Sequence, residues 1–135
     1  MRAAAIAVGV VLVLGLAACG GGGSASTTTG VTGTTAGGDI AAGREIFVST
    51  GCGSCHTLQE AGADGTVGPN LDEDLVLDAE AAGAPLAEYV RTSIVDPDAW
   101  VMPRYSGGVM PTTYASQLSD TQLDDLVAFI VQSAQ

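Results

Sequence analysis

Apolar positions recur at helical spacing in three segments, all after residue 38. In the first, the capping residue Asp39 precedes Ile40, Gly43 and Phe47 on one face. This pattern predicts a helix over 39–50, and Gly51 is well placed to end it. The helix would lead directly into a short cysteine-containing segment.

The second segment places Leu86, Tyr89, Val90 and Ile94 on one face. We predict a helix over 85–95 that ends before Pro97, because the residue before a proline disfavours helical geometry.

The third segment gives the clearest helix. Ser119 and Gln122 form a capping-box pattern at its start, and the first turn carries acids that suit the helix dipole. Its buried stripe consists of Leu123, Leu126, Val127 and Ile130, with Phe129 beside it.

Between these helices, residues 57–75 and 96–117 are rich in Gly, Pro, Asn and Asp and are predicted to be loops. No stretch alternates in the manner of a strand pair, and no internal repeat is present. The fold class is therefore all-α, with three to five helices. Loops this long are unusual in a small domain unless they wrap a large rigid ligand.

The N-terminal region has a different character. Residues 1–18 carry one positive charge followed by an apolar run, which is the layout of a secretory signal; an uncleaved membrane anchor is the alternative. The sequence "LAAC", ending at Cys19, resembles the cleavage box of bacterial lipoproteins. That resemblance implies lipidation of Cys19, followed by a flexible Gly/Ser/Thr tether over 19–38 and a folded domain over 39–135.

The net charge is −11, with only four Lys and Arg residues. Because phosphate backbones are held by clustered cations, this composition excludes nucleic acid as a partner. The acidic excess fits either a soluble, self-repelling surface or steering toward a basic partner.

Candidate chemistry is concentrated in "CGSCH", which contains Cys52, Cys55 and His56. A zinc site needs four ligands, and no further Cys or His lies after residue 38. A thioredoxin-like dithiol needs a βαβ setting that the pattern does not predict, and a structural disulfide here would close a tiny loop. Haem attachment uses all three side chains, with two thioether bonds and an axial imidazole.

The chain resembles the class I monohaem cytochromes c, in particular small bacterial membrane-attached ones. The resemblance rests on "CGSCH" at 52–56, "GPNL" at 68–71, "GVMP" at 108–111 and "LSDTQLDDLVAFI" at 118–130. It implies the cytochrome c fold around one covalent haem c, held by Cys52, Cys55 and His56. It also implies that the first and last helices cross at Gly43, Phe47 and Phe129.

The same resemblance implies that the carbonyl of Pro69 accepts a hydrogen bond from His56 and that Met110 is the sixth iron ligand. Met102, which also precedes a proline, is the competitor. We prefer Met110, because Gly107 and Gly108 let the backbone approach the ring closely and because "GVMP" is the family's usual context.

These features predict an electron carrier rather than an enzyme. It would be tethered to the outer face of the bacterial cytoplasmic membrane and would pass single electrons from a quinol-oxidising complex to a terminal oxidase or similar acceptor. The alternatives are a fixed cytochrome c subunit of a larger oxidoreductase and, less favoured, a haem sensor or peroxidase. The acidic segment 71–80 is either a docking edge or a solvated loop.

Overall fold

The structure is a computed structural model that describes residues 37–135. The predicted signal peptide 1–18, the lipidation site Cys19 and the tether up to residue 36 lie outside the described residues. The described part has five helices and one two-stranded sheet. The helices are α1 (Ile40–Ser49), α2 (Leu75–Ala82), α3 (Leu86–Val95), α4 (Tyr114–Gln117) and α5 (Asp120–Ser133), and the strands are β1 (Thr57–Leu58) and β2 (Ala63–Asp64).

The three predicted helices are confirmed as α1, α3 and α5. The side chain of Asp39 accepts hydrogen bonds from the first free amides of α1, at 2.9 and 3.2 Å. Ser119 and Gln122 form the complete capping box at the start of α5. These side chains satisfy helix-terminal amides that would otherwise lack partners.

Helices α1 and α5 pack against each other at the centre of the fold. The rings of Phe47 and Phe129 meet edge to face, with their centroids 5.8 Å apart and their planes at 67°. Gly43 allows this approach, because a Cβ atom at that position would lie 2.7 Å from the Cβ of Phe129. Both phenylalanines are fully buried, so this crossing is a central part of the hydrophobic core of the described domain.

The start of the described chain is fixed to the same crossing. The amide of Asp39 donates to Oδ1 of Asp125 at 2.7 Å. Gly38, which the sequence pattern assigns to the tether, is buried against the backbone of α5 at Asp124 and the side chain of Ala128.

Both predicted loops were wrong in part, and one helix was not predicted. The unpredicted helix is α2 (Leu75–Ala82), which overlaps the predicted loop 57–75 only at Leu75. Residues 114–117 form the single-turn helix α4. The first loop also contains a strand pair, in which Thr57 pairs with Asp64 and Leu58 with Ala63. Each of these elements is short and is stabilised by tertiary packing more than by its own sequence pattern.

The all-α fold class is otherwise confirmed, since the strands are only two residues long. Within residues 37–135, no helix combines the length and the apolar character needed to cross a membrane.

Candidate cofactor site

The cysteine and histidine side chains are placed by a tight turn directly after α1. Gly51 has a φ of 78°, in the left-handed region that glycine adopts readily. Cys52–Ser54 then form one 3₁₀ turn, in which the amides of Cys55 and His56 both donate to the carbonyl of Cys52, at 3.2 and 3.1 Å. Two thiols and an imidazole are thereby presented from a single turn of chain.

All three side chains line one large, mainly apolar cavity of about 380 Å³. That volume is in the range of small-molecule and cofactor sites. Its walls come from α1, α2, α3, α5 and the long segment between α3 and α4. This segment is the second predicted loop, so the long loops do enclose a space large enough for a bulky ligand.

Cys52 and Cys55 are free thiols, each partly buried. Burial raises the pKa of Cys52, although the hydroxyl of Thr50, 3.3 Å from its sulfur, acts in the opposite direction. Tyr114 also lines the cavity, and its pKa is raised by burial and by the nearby cysteines. The cavity wall therefore favours the neutral thiol.

His56 is held by the segment that carries "GPNL". Its Nδ1 atom lies 2.9 Å from the carbonyl oxygen of Pro69. Burial lowers the pKa of His56, while the Pro69 carbonyl acts to raise it. A neutral imidazole that donates from Nδ1 to Pro69 leaves the lone pair of Nε2 available to a metal.

Gly68 makes that arrangement sterically possible. A Cβ atom there would lie 2.5 to 2.9 Å from the imidazole ring, closer than side-chain carbons pack. The amide of Gly68 donates to the carbonyl of Cys55 at 2.8 Å, and the amide of Leu71 donates to the carbonyl of Thr57 at 3.0 Å. These two hydrogen bonds hold the segment 68–71 alongside His56.

Met102 and Met110 both line the cavity and are partly buried. The loop before Met110 is fixed by Asp98, whose Oδ1 accepts a hydrogen bond from the amide of Gly108 at 2.7 Å. Gly108 has a φ of 72°, consistent with the backbone freedom predicted for it. The preference for Met110 over Met102 remains a prediction.

Four further side chains of the site were not identified from the sequence: Asp78, Tyr89, Ser93 and Asp98, all of which line the cavity. Ser93 is informative, because its hydroxyl is buried without a hydrogen-bond partner among the described residues. Ser93 interrupts the apolar stripe of α3 in the sequence, and this interruption was the available signal.

The donor set of the cavity can be tested against possible ligands. Among the described residues, no group of three or more His, Cys, Asp or Glu side chains is placed to hold a metal ion by itself. The cavity instead offers two free thiols, a neutral imidazole, thioether sulfur, apolar walls and an unpaired buried hydroxyl. This set fits a bulky apolar group that contains a metal and is attached through sulfur.

These features fit the attachment of haem through a Cys-X-X-Cys-His segment. In the comparison with known families, residues 40–134 match cytochrome c. The chain therefore belongs to the cytochrome c family. A comparison with curated proteins finds no match.

Membership of this family implies covalently bound haem c and a role as an electron carrier. When bound, haem supplies reversible one-electron chemistry between the ferric and ferrous states of its iron.

Proposed function

We propose that this protein is a membrane-tethered, monohaem electron carrier. The observation that carries the proposal is the placement of Cys52, Cys55 and His56 in the wall of one apolar cavity, with a methionine in the same wall. It acts as a carrier and not as an enzyme.

In this proposal, Cys52 and Cys55 hold the haem through two thioether bonds, and His56 and Met110 are the axial ligands. His56 and the loop before Met110 are each held by one hydrogen bond. Pro69 orients the imidazole of His56, and Asp98 fixes the glycine loop that precedes Met110. Ligands that are held in place before and after electron transfer keep the structural change between the two states small.

The apolar walls have a second role, which is to limit the access of water to the iron. Phe47, Leu71, Leu75, Leu126 and Ile130 are buried residues that line the cavity. A low-polarity surrounding disfavours the more highly charged ferric state and so raises the potential, in the same direction as a thioether ligand.

We further propose that the mature chain begins at lipidated Cys19 and is attached to the outer face of the bacterial cytoplasmic membrane. The Gly/Ser/Thr-rich segment that follows would allow the haem domain to move between membrane-bound partners. The donor would be a quinol-oxidising complex and the acceptor a terminal oxidase or a similar protein.

The charge of the domain favours partners with a basic docking face. All 15 acidic residues of the chain lie after residue 38. The three arginines in the described part are each engaged within the chain. Arg91 pairs with Asp124, Arg104 pairs with Asp74, and Arg44 donates to the carbonyl of Glu60. Association with a basic partner should therefore weaken as salt is added.

One experiment tests both the covalent attachment of haem and the lipidation of Cys19. The full-length protein would be extracted gently from membranes and examined by a pyridine-adduct spectrum and by intact mass. We expect one covalent haem and a mass that corresponds to cleavage before Cys19 with lipid added. A colourless protein whose Cys52 and Cys55 both react with an alkylating reagent would contradict the haem assignment.

The tether is tested separately with Cys19→Ala, and Cys52→Ala serves as a control that disturbs haem attachment only. We expect Cys19→Ala to release haem-loaded protein from the membrane. Recovery of the wild-type protein in a stoichiometric complex would favour a fixed subunit, and binding of carbon monoxide to the reduced protein at neutral pH would favour a sensor or peroxidase.

A further inference from the structure

The cavity contains a buried carboxyl group that the proposed ligation does not use. Asp78, on the inner face of α2, lines the cavity and is only 5% exposed. Acidic side chains are rarely buried to this extent without a close partner. A carboxyl group in this position is therefore a candidate for a functional role.

Asp78 is incompletely paired. Its two oxygens each lie 3.5 Å from the same nitrogen of Arg104, at the outer limit of hydrogen bonding. Arg104 is closer to Asp74, at 2.8 Å. The arginine is thus shared between two carboxylates and interacts more closely with the one that is less buried.

The charged and titratable groups that face Asp78 come from three parts of the fold. Asp74 lies at the start of its own helix, Tyr89 projects from α3, and Arg104 comes from the loop after α3. Burial raises the pKa of Asp78; Arg104 acts to lower it and Asp74 acts to raise it. Burial and the charge of Asp78 in turn raise the pKa of Tyr89.

We propose that Asp78 takes up a proton when the protein is reduced and releases it when the protein is oxidised. A one-electron donor would reduce the ferric iron of the bound haem, and the Asp78 carboxylate would form one O–H bond with a proton taken from solvent. Oxidation removes the electron and breaks that O–H bond. The charge of the cavity then stays constant, which avoids an uncompensated charge in an apolar surrounding.

The position of the group allows this exchange. Arg104 has about half of its side chain in solvent and Asp74 about a quarter, and both adjoin Asp78. A proton therefore reaches Asp78 through a short polar region at the surface. This inference rests on the proposed haem binding of this protein. It does not depend on the proposed tether or on the proposed partner proteins.

The test is a titration of the midpoint potential against pH, from about pH 4 to pH 9, with small-molecule mediators and detergent-solubilised, full-length protein. In the wild type we expect the potential to fall as pH rises through the pKa of Asp78, because the carboxylate stabilises the oxidised state. In Asp78→Asn we expect that pH dependence to be lost and the potential at neutral pH to be higher. In the matched control Glu80→Gln, an exposed acid on the same helix, we expect the wild-type curve.

Two other variants should shift the pH-dependent range of the midpoint potential in opposite directions. Asp74→Asn frees Arg104 for Asp78 and should move the pH-dependent range to lower pH, whereas Arg104→Gln should move it to higher pH. A redox-difference infrared spectrum should show a protonated carboxyl band that forms on reduction and is absent in Asp78→Asn. The pyridine-adduct spectrum of each variant confirms haem loading, so failure of haem attachment is distinguished from failure of this proposal.

A wild-type slope that persists in Asp78→Asn overturns the proposal, as does a potential that is independent of pH in the wild type. If Asp78→Asn does not fold, the opposite shifts of Asp74→Asn and Arg104→Gln decide the question. The absence of those opposite shifts overturns the proposal as well.

Discussion

The Nδ1 atom of His56 lies 2.9 Å from the carbonyl oxygen of Pro69, and this hydrogen bond depends on the glycine that precedes the proline. Gly68 lies against the imidazole ring, where no side chain fits. The Pro69 carbonyl cannot be removed by substituting a side chain. A side chain at Gly68, however, would keep the segment that carries this carbonyl away from His56.

We therefore predict that Gly68→Ala reduces haem loading. A methyl group would displace the imidazole from Pro69, so the ring would lose the hydrogen bond that orients it toward the haem. The measurement is haem absorbance per mole of protein, together with the low-temperature magnetic-resonance signature of the axial histidine. The control is Gly62→Ala. Gly62 has a φ of 68°, and no atom lies within 4 Å of the carbon that this substitution adds. Equal haem loading in the two variants would show that Gly68 has no special role.

The sixth ligand is tested by a matched pair of methionine variants. Met102 and Met110 both line the cavity, so each truncation removes the same thioether side chain from its wall. We expect Met110→Ala to abolish the far-red iron–sulfur absorption and to lower the midpoint potential, because thioether ligation favours the ferrous iron. Met102→Ala should retain the absorption band. Loss of the band in Met102→Ala alone would reverse the assignment.

The crossing of α1 and α5 is predicted to be intolerant of added volume. Gly43→Ala would place a carbon 2.7 Å from the Cβ of Phe129, and overpacking of this kind costs about 1–3 kcal/mol of unfolding free energy. The measurement is urea denaturation of the haem-loaded protein. Ala41→Ser, at an exposed position of the same helix, should change stability by less than about 0.5 kcal/mol. Similar midpoints for the two variants would argue against tight packing at the crossing.

Asp78 should make stability depend on pH in a defined direction. Because its pKa is raised in the folded protein, the native state binds more protons than the unfolded state between the two pKa values. Its contribution is therefore complete at pH values below the ordinary carboxyl range and is lost as pH rises through the raised pKa.

The measurement is the difference in unfolding free energy between wild type and Asp78→Asn over a pH series, with the protein held in the oxidised state. We expect Asp78→Asn to gain stability relative to the wild type as the pH increases from about 4 toward neutrality. A difference that stays constant over this range would mean that burial does not disfavour the Asp78 carboxylate.

The parts of the fold that were predicted correctly have strong local signals. Asp39 caps α1, and Ser119 forms the capping box of α5. Both helices also have apolar stripes that match the core. Capping residues and apolar periodicity involve residues that are close together in the chain, so they can be recognised in a single sequence.

Helix α2 was missed because its apolar residues do not form one stripe. Its buried face combines Leu75 and Ala79 with the carboxyl of Asp78, while the apolar Val76 and Leu77 are exposed, Leu77 to 65%. Its capping position, Asp74, makes no capping hydrogen bond, because its carboxylate pairs with Arg104. A helix stabilised by distant contacts has no local signature.

The candidate site divides in the same way. Cys52, Cys55 and His56 are adjacent in sequence, and Pro69 and Met110 lie in short motifs that resemble those of the family; their roles toward the haem remain predictions. Asp78, Ser93 and Asp98 become part of the site only when α2, α3 and the following loop close around the cavity. These three residues are recognised as part of the site only by their position around the cavity, and a single sequence does not contain that information.

The docking of Gly38 and Asp39 onto α5 has a mechanical consequence. Any pull transmitted along the chain from preceding residues reaches the domain at the hydrogen bond between Asp39 and Asp125 and at the junction of its first and last helices. Because Phe47 belongs both to this crossing and to the cavity lining, force that enters here would be passed directly to one wall of the cofactor site.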